Sequence, residues 1–122
     1  MITKQFNNIS NILEVTYSGE IDIKQILDYQ NEIFLDTSYP LKLMILTDAS
    51  NSKIVLSTKE VDEVALAIED LMSKYTLIKN AFLTDSPLPT ALSTLYKLSV
   101  ASFPTYQFDV FSSKKAAQKF LL

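Results

Sequence analysis

The side chains in this sequence that could do chemistry are carboxylates and small polar groups, and they follow two apolar segments. They are Asp48, Ser50, Asn51, Ser52, Asp85 and Ser86. Asp48 stands just after the apolar residues 43–46, and Asp85 stands just after residues 81–83. Because the carboxyl ends of neighbouring parallel strands meet at one edge of a sheet, where ligands bind in open α/β folds, we expect these residues to share that edge.

Two carboxylates at one edge could act as a general acid–base pair. The alternative is structural: Asp85 and Ser86 cap a helix, and Asp48 accepts hydrogen bonds from its own loop. The structural alternative is favoured, because the chain has no His, Cys or Arg that would supply an activated nucleophile or an oxyanion clamp. We therefore assign no catalytic residue and expect a protein that is not an enzyme.

The composition excludes several other kinds of site. Without Cys or His the chain lacks disulfides, thiolates and the commonest zinc ligands, and its acidic residues are expected on solvated surfaces, so no metal or cofactor is predicted. All 11 basic residues are Lys and the net charge is −3, which argues against nucleic-acid binding. The single glycine, Gly19, cannot form a glycine-rich phosphate loop.

No segment of the sequence has the length of a membrane span. The longest apolar run, residues 64–68, has five residues, against about 20 for a transmembrane helix. The first residues lack the basic and apolar regions of a signal peptide. We expect no membrane insertion and a cytoplasmic location.

Two helices are predicted from capping residues and helical spacing. The first begins after Asp22, with Gln25 completing a capping box, and ends near Asp36. The second begins after Ser57, with Glu60 in the same role. Its apolar residues recur at intervals of three and four along its whole length, the pattern of an amphipathic helix.

The remaining elements follow from alternation and turn residues. Residues 2–17 predict an antiparallel hairpin that ends at Gly19, and residues 43–48, 77–84 and 106–111 predict three further strands. A third helix is expected from Ser86 and Pro87 to Phe103–Pro104. The closing helix begins at Ser112 or Ser113 and places on its core face Ala116, Ala117, Phe120 and Leu121.

The element order β-β-α-β-α-β-α-β-α predicts one α/β domain over residues 1–122, with a five-stranded mixed, mostly parallel sheet in the order 1-2-3-4-5. Right-handed crossovers would wind the helices onto one face as a (βα) superhelix. The second face of the sheet then has no helix to bury its apolar residues. We therefore expect a homodimer that forms through that face or through a strand edge. The alternative is that the first or last helix folds across this face. The predicted core comprises Val15, Ile45, Leu46, Val64, Ile68, Leu71, Phe82, Leu95 and Phe108.

This pattern resembles the SpoIIAA-like superfamily, which includes the STAS domains of anti-sigma-factor antagonists. The resemblance rests on the element order, on Tyr17-Ser18-Gly19-Glu20-Ile21 before the first helix, and on the strand at residues 43–48. It rests also on residues 110–112 leading into Ala116-Ala117. The chain is most similar to small stand-alone bacterial proteins of the superfamily, and the same winding is related to the lipid-binding CRAL-TRIO (Sec14-like) fold.

The resemblance implies a functional position at Ser50. In the antagonists the third strand ends in Asp-Ser-Ser-Gly, and a partner kinase phosphorylates the second serine. This chain has Asp48-Ala49-Ser50-Asn51, so Ser50 matches the phosphorylated position while the first serine and the glycine are replaced. The site is thus expected at residues 47–53, with Asp85, Ser86 and the start of the third helix.

Two functions follow as expectations. The first is a non-enzymatic, cytoplasmic regulatory or protein-interaction module with an unknown protein partner. The second, from a different class, is a carrier or sensor of a lipid or other apolar small molecule. The six Tyr and seven Phe fit either, since aromatic residues fill a core or line an apolar pocket.

Overall fold

The computed structural model describes the backbone of residues 1–122 and the side chains of residues 1–86 and 91–122. The elements are β1 (Ile2–Asn7), β2 (Ile12–Ile21), α1 (Ile23–Leu35), β3 (Lys42–Ile54), α2 (Thr58–Lys74), β4 (Leu77–Leu83), α3 (Pro87–Ser99), β5 (Tyr106–Phe111) and α4 (Lys114–Leu121). One sheet runs in the order β1-β2-β3-β4-β5, with β1 antiparallel to β2 and the other pairs parallel. The predicted α/β class, element order and strand order are confirmed.

The helices begin at the predicted capping residues. The Asp22 carboxylate accepts a hydrogen bond from the Gln25 backbone N–H at 3.0 Å. The Gln25 side chain, however, donates to the Glu20 carbonyl at 3.1 Å, so the expected capping box at α1 is half formed. At α2 the box is complete: Ser57 Oγ accepts from the Glu60 N–H at 3.1 Å and Glu60 Oε1 accepts from the Ser57 N–H at 2.9 Å.

The main core lies between one face of the sheet and helices α1 to α3. Most of the predicted core residues belong to it, namely Val15, Ile45, Val64, Ile68, Leu71, Phe82 and Phe108. The prediction was wrong for Leu46, which is buried on the other face, and for Leu95, which is only half-buried. Helix α3 ends at Ser99, earlier than expected, and packs on this core through Leu92, Tyr96 and the following Val100.

Helix α4 covers the opposite face of the sheet. Its Ala117 and Leu121 form a second, smaller core with Leu46 and Ala81. The expectation that all helices lie on one face was therefore wrong, and the alternative, that the last helix folds across the second face, is confirmed. The handedness rule applies to a helix between two parallel strands, and α4 follows the last strand, so nothing fixes its side. Ala116, expected on the core face, is exposed.

With α4 in place, the second face is not a bare apolar surface that would favour self-association. Association through a strand edge stays a prediction, which light scattering at high micromolar concentration would check. A clean monomer at that concentration would contradict it.

Truncation of one residue in each core should lower the free energy of unfolding. Ile68→Ala in the main core and Leu46→Ala under α4 should each cost about 2–5 kcal/mol, because each removes buried methyl groups and leaves a cavity. Leu66, on α2 but exposed, is the matched control, and Leu66→Ala should change stability by less than about 0.5 kcal/mol. Urea unfolding measures all three; a core variant as stable as the parent would show that its element is misassigned.

Candidate functional site

The segment expected to be a binding loop, residues 47–53, is a bulged continuation of β3. Thr16 pairs with Asp48 and Ser18 pairs with Asn51, so Ala49 and Ser50 together lie opposite one residue of β2. Such a β-bulge twists the strand locally and redirects its side chains. The loop prediction was wrong because small polar residues are typical of turns, whereas here they pair with the second half of β2.

Gly19 lies within this second half of β2. Its φ of +70° is the positive value expected from the sequence, but the strand continues past it to Ile21. Glycine adopts this conformation without the strain that a Cβ would bring. It therefore lets β2 follow the bulged β3 up to Ile54.

The polar side chains at the bulge bond to one another. The Asp48 carboxylate accepts hydrogen bonds from the Ser50 backbone N–H at 3.0 Å and from the Ser50 hydroxyl. Ser52 is half-buried and its hydroxyl donates to the Ala49 carbonyl at 2.8 Å, while Ser50 and Asn51 are exposed. The geometry is that of an ordered polar bulge with one accessible serine hydroxyl.

Asp85 and Ser86 lie at the same edge of the sheet but do not join Asp48. In the register of β3 and β4, Asp48 lies opposite Leu83, and Asp85 follows as an exposed residue. Ser86 is the N-cap of α3, and its N–H donates to Thr84 Oγ1 at 3.3 Å. Within the part of the chain that the structure describes, no hydrogen bond links the two carboxylates. Helix α3 begins at Pro87, as predicted, and the side chains of residues 87–90 lie outside the described part of the chain.

A cavity of about 80 Å³ lies between the sheet and helices α1 to α3. Its wall is mostly aliphatic and aromatic, with Ile33, Ile45, Val64 and Phe82 among the apolar residues. Polar side chains from both layers also reach it, namely Tyr17, Tyr29, Gln30, Asn80, Ser93, Tyr96 and Tyr106. Apolar walls with a few convergent polar groups are typical of small-molecule sites.

A chain of hydrogen bonds fixes the polar groups on the sheet side of the cavity. Thr47 Oγ1 donates to Asn80 Oδ1 at 2.9 Å, and Asn80 Nδ2 donates to the Tyr106 hydroxyl at 3.3 Å. The Tyr96 hydroxyl donates to the same Tyr106 oxygen at 2.9 Å. These groups are oriented by one another, and such networks make a buried polar surface rigid.

The tyrosines of the cavity are neutral. Burial away from water raises the pKa of Tyr106 to about 12, although its hydrogen bonds from Tyr96 and Asn80 oppose the shift. Burial likewise raises the pKa of Tyr17, Tyr29 and Tyr96 well above the usual range. No Lys, Asp or Glu lines the cavity in the described part of the chain. The site therefore offers hydrogen bonds without charge.

Two residues that line the cavity each carry a fully buried polar atom with no hydrogen-bond partner among the described residues. These atoms are the Tyr29 hydroxyl oxygen and Gln30 Oε1. Both residues lie on α1 and each is only 6% exposed. The sequence indicated a buried polar group here, since Gln30 is a polar residue within the apolar stripe of the first helix. Neither residue was predicted as a site residue.

Comparison with known proteins is informative only for the fold. No protein-family model matches the sequence, and no curated protein matches it. An uncharacterised protein from Shewanella loihica PV-4, described as a DUF3478 family member with a SpoIIAA-like fold, is similar in structure at a TM-score of 0.60. The match has 14% sequence identity and covers 100% of this chain and 93% of that one. The protein has the SpoIIAA-like fold, as its sequence resemblance implied.

Among the described residues, no helix is both long enough and apolar enough to cross a membrane. The same residues contain no cluster of three or more acidic side chains that could hold a metal ion. The candidate sites are thus the cavity and the polar bulge.

Proposed function

We propose that this protein is a non-enzymatic binding domain that takes a small, mostly apolar molecule into the cavity between the sheet and helices α1 to α3. The observation that carries the proposal is an apolar cavity of about 80 Å³ whose wall includes polar side chains oriented by one another. Apolar walls with a few placed polar groups favour a small-molecule ligand. The role is that of a sensor or carrier.

The volume of the cavity limits the size of the ligand. The resemblance to a lipid-binding fold suggested a lipid or another apolar small molecule. An engineered cavity of roughly 150 Å³ binds benzene, and this cavity of about 80 Å³ has about half that volume. Pockets for drug-sized ligands run from about 300 Å³ upward. The proposed ligand is therefore a compact molecule rather than a lipid chain.

Xenon provides a direct test of the cavity, because it binds apolar cavities without needing a hydrogen bond. Under xenon pressure, the methyl NMR signals of Ile33, Ile45 and Val64 should shift in a saturable way. Val64→Leu, which adds a methylene at the cavity wall, should weaken this binding at least about tenfold. Val55→Leu makes the same change at an exposed residue and should leave binding unchanged.

A wild-type protein whose cavity methyl signals do not respond to xenon would refute the proposal. Native mass spectrometry of the purified protein complements the test, since it reports a co-purified molecule and the oligomeric state together.

A regulatory role with a protein partner is the second candidate, and the specific observation that favours it is the exposed Ser50 at the bulge. A phosphate there would add about −1.5 to −2 charges beside Asp48, which accepts both Ser50 hydrogen bonds. Repulsion would break these bonds and rearrange the bulge. A cytoplasmic kinase and an unknown protein partner are part of this proposal.

Ser38 offers a matched control for Ser50. Its backbone N–H and hydroxyl donate to Asp36 at 2.8 and 2.5 Å, the same arrangement as at the bulge, but in the connection between α1 and β3. In pull-downs from the native cytoplasm, Ser50→Asp should change the set of captured partners, whereas Ser38→Asp and Ser50→Ala should not. Identical partners for all variants, with no phosphorylated Ser50 peptide recovered, would remove this candidate.

A further inference from the structure

A groove of about 230 Å³ lies between α1 and α2, on the side of the two helices that faces solvent. Its wall is mostly apolar and includes Leu27, Phe34, Ala67 and Leu71. The polar residues Asn31 and Asp70 also line it, and both are exposed. The groove is larger than the cavity of roughly 150 Å³ that holds benzene, so it has room for the end of one large side chain.

Asp70 is the one charged residue in the described lining of this groove. Its usual partner would be Lys74, because an Asp and a Lys four residues apart on a helix can form an ion pair. Lys74 Nζ instead donates to three carbonyl oxygens at the end of α1, those of Ile33 (3.3 Å), Phe34 and Asp36. The last carbonyl groups of a helix have no partner within it and attract a cation. Lys74 therefore serves α1 and not Asp70.

The Asp70 carboxylate is left without a cation. The ion pairs of the described residues join Lys4 to Glu32, Lys24 to Asp28 and Lys97 to Asp109. Glu63 lies two turns before Asp70 on the same side of α2, and it is also outside these pairs. This side of α2 thus presents uncompensated negative charge next to an apolar wall.

Exposed apolar side chains continue the surface beyond the groove. Leu66 lies four residues before Asp70 on α2, and Leu35 lies four residues after Asn31 on α1, so each is next to a residue of the groove. Leu66 is 62% exposed and Leu35 is 67% exposed. Apolar residues that are exposed together mark a contact surface for another molecule.

We infer that this groove is a docking site for a partner protein that inserts an arginine flanked by apolar residues. The guanidinium group pairs with the Asp70 carboxylate and has further donors for the Asn31 side-chain oxygen. The methylene groups of the arginine contact Leu27 and Ala67, as such stems do on apolar surfaces. The flanking apolar residues cover Leu35 and Leu66. This surface is separate from the proposed ligand cavity.

The charge and shape of the groove select arginine over other residues. An acidic side chain would be repelled by Asp70, and a neutral one would leave the carboxylate without a counter-charge. A lysine would supply the charge, but its ammonium group is more strongly hydrated and lacks the planar set of five donors. Arginine is also enriched in protein interfaces, whereas lysine is depleted.

Two synthetic peptides test the inference on the wild-type protein. The first has an arginine between two leucines, and the second has citrulline in its place, which keeps the shape of arginine and lacks its charge. In methyl NMR titrations at low salt, the arginine peptide should cause saturable shifts at Leu27, Ala67 and Leu71. Its dissociation constant should be about threefold to fivefold lower than that of the citrulline peptide, the effect of one exposed ion pair. High salt should remove the difference.

Asp70→Asn keeps the shape of the side chain and removes its charge, so the two peptides should bind this variant equally. Glu69→Gln makes the same kind of change at the neighbouring residue. Glu69 is exposed on α2 and does not line the groove, so this control should keep the preference for arginine.

An arginine peptide that causes no saturable shift at the groove would overturn the inference. Equal binding of the two peptides to the wild type, or a preference for arginine that survives in Asp70→Asn, would overturn it as well. Shifts confined to core methyl groups such as those of Ile45 would place the peptide elsewhere, with the same conclusion. The xenon experiment concerns the cavity alone, so the docking site and the proposed function can fail separately.

Discussion

Raising the pH above about 10 is expected to unfold this protein steeply. In the unfolded chain tyrosines ionise with a pKa of about 10. In the folded protein burial raises the pKa of Tyr106 to about 12 and raises the pKa of Tyr17, Tyr29 and Tyr96 well above the usual range. The folded state therefore retains protons that the unfolded state loses.

The sign of the effect follows from this difference. The stability that comes from these tyrosines is fully present below pH 10, and it is lost as the pH rises toward the folded pKa values of about 12 and higher. Each buried tyrosine lowers the free energy of unfolding by up to about 1.4 kcal/mol per pH unit. Together the four give a slope of up to about 5 kcal/mol per pH unit, enough to exhaust the stability of an ordinary domain.

Urea unfolding between pH 8 and 11.5 measures this slope, and the ultraviolet absorbance of tyrosinate reports ionisation in the same samples. Tyr29→Phe is the most informative variant, because the Tyr29 hydroxyl has no partner among the described residues to lose. It should leave stability at pH 7 unchanged or slightly higher and reduce the alkaline slope by about a quarter. A stability that stays level up to pH 11 would show that the phenols are not buried as described.

The sequence predicted best the elements that are determined by local interactions. Ser57 and Glu60 are three residues apart, and the capping box they form requires nothing from the rest of the chain. The alternation of Tyr106 and Phe108 likewise predicted β5 with its observed bounds. These local predictions hold in the folded protein because the tertiary contacts favour the same conformation as the local interactions.

The errors arose where a distant segment decides the conformation. Residues 50–53 have the composition of a turn, yet they continue β3 because the second half of β2 offers hydrogen bonds alongside. No pattern within these residues encodes that pairing. The side of the sheet that α4 takes is also non-local, since amphipathic residues show that the helix packs and do not show against which face.

Only part of the candidate binding site could be predicted from the sequence. The aromatic residues were predicted either to fill the core or to line a pocket. Composition cannot distinguish a filled core from a pocket, because the two differ in whether side chains from several elements fill the space between those elements. Gln30 gave a sharper signal, as a polar residue at a buried position of α1. Its meaning depends on the Val64 carbonyl, which lies 34 residues away in the chain.

Placing a charge beneath α4 should detach this helix from the sheet. Ala117 is 0% exposed and packs in the small second core with Leu46, Ala81 and Leu121. Ala117→Asp buries a carboxylate that has no counter-charge in this cluster, which should lower the free energy of unfolding by about 3–5 kcal/mol at pH 7. The loss should be smaller at pH 4 to 5, since a buried carboxyl group takes up a proton more readily.

The neighbouring Ala116 provides the matched control. It is exposed and lies in the first turn of α4, after the N-cap Ser113, where a negative charge interacts favourably with the helix dipole. Ala116→Asp should therefore leave stability unchanged or raise it by a few tenths of a kcal/mol. Ala117→Asp should also make the protein associate, because a displaced α4 uncovers Leu46 and the apolar residues beside it. Unfolding curves and light scattering for the pair decide the point: equal effects of the two substitutions would mean that α4 does not cover the second face of the sheet.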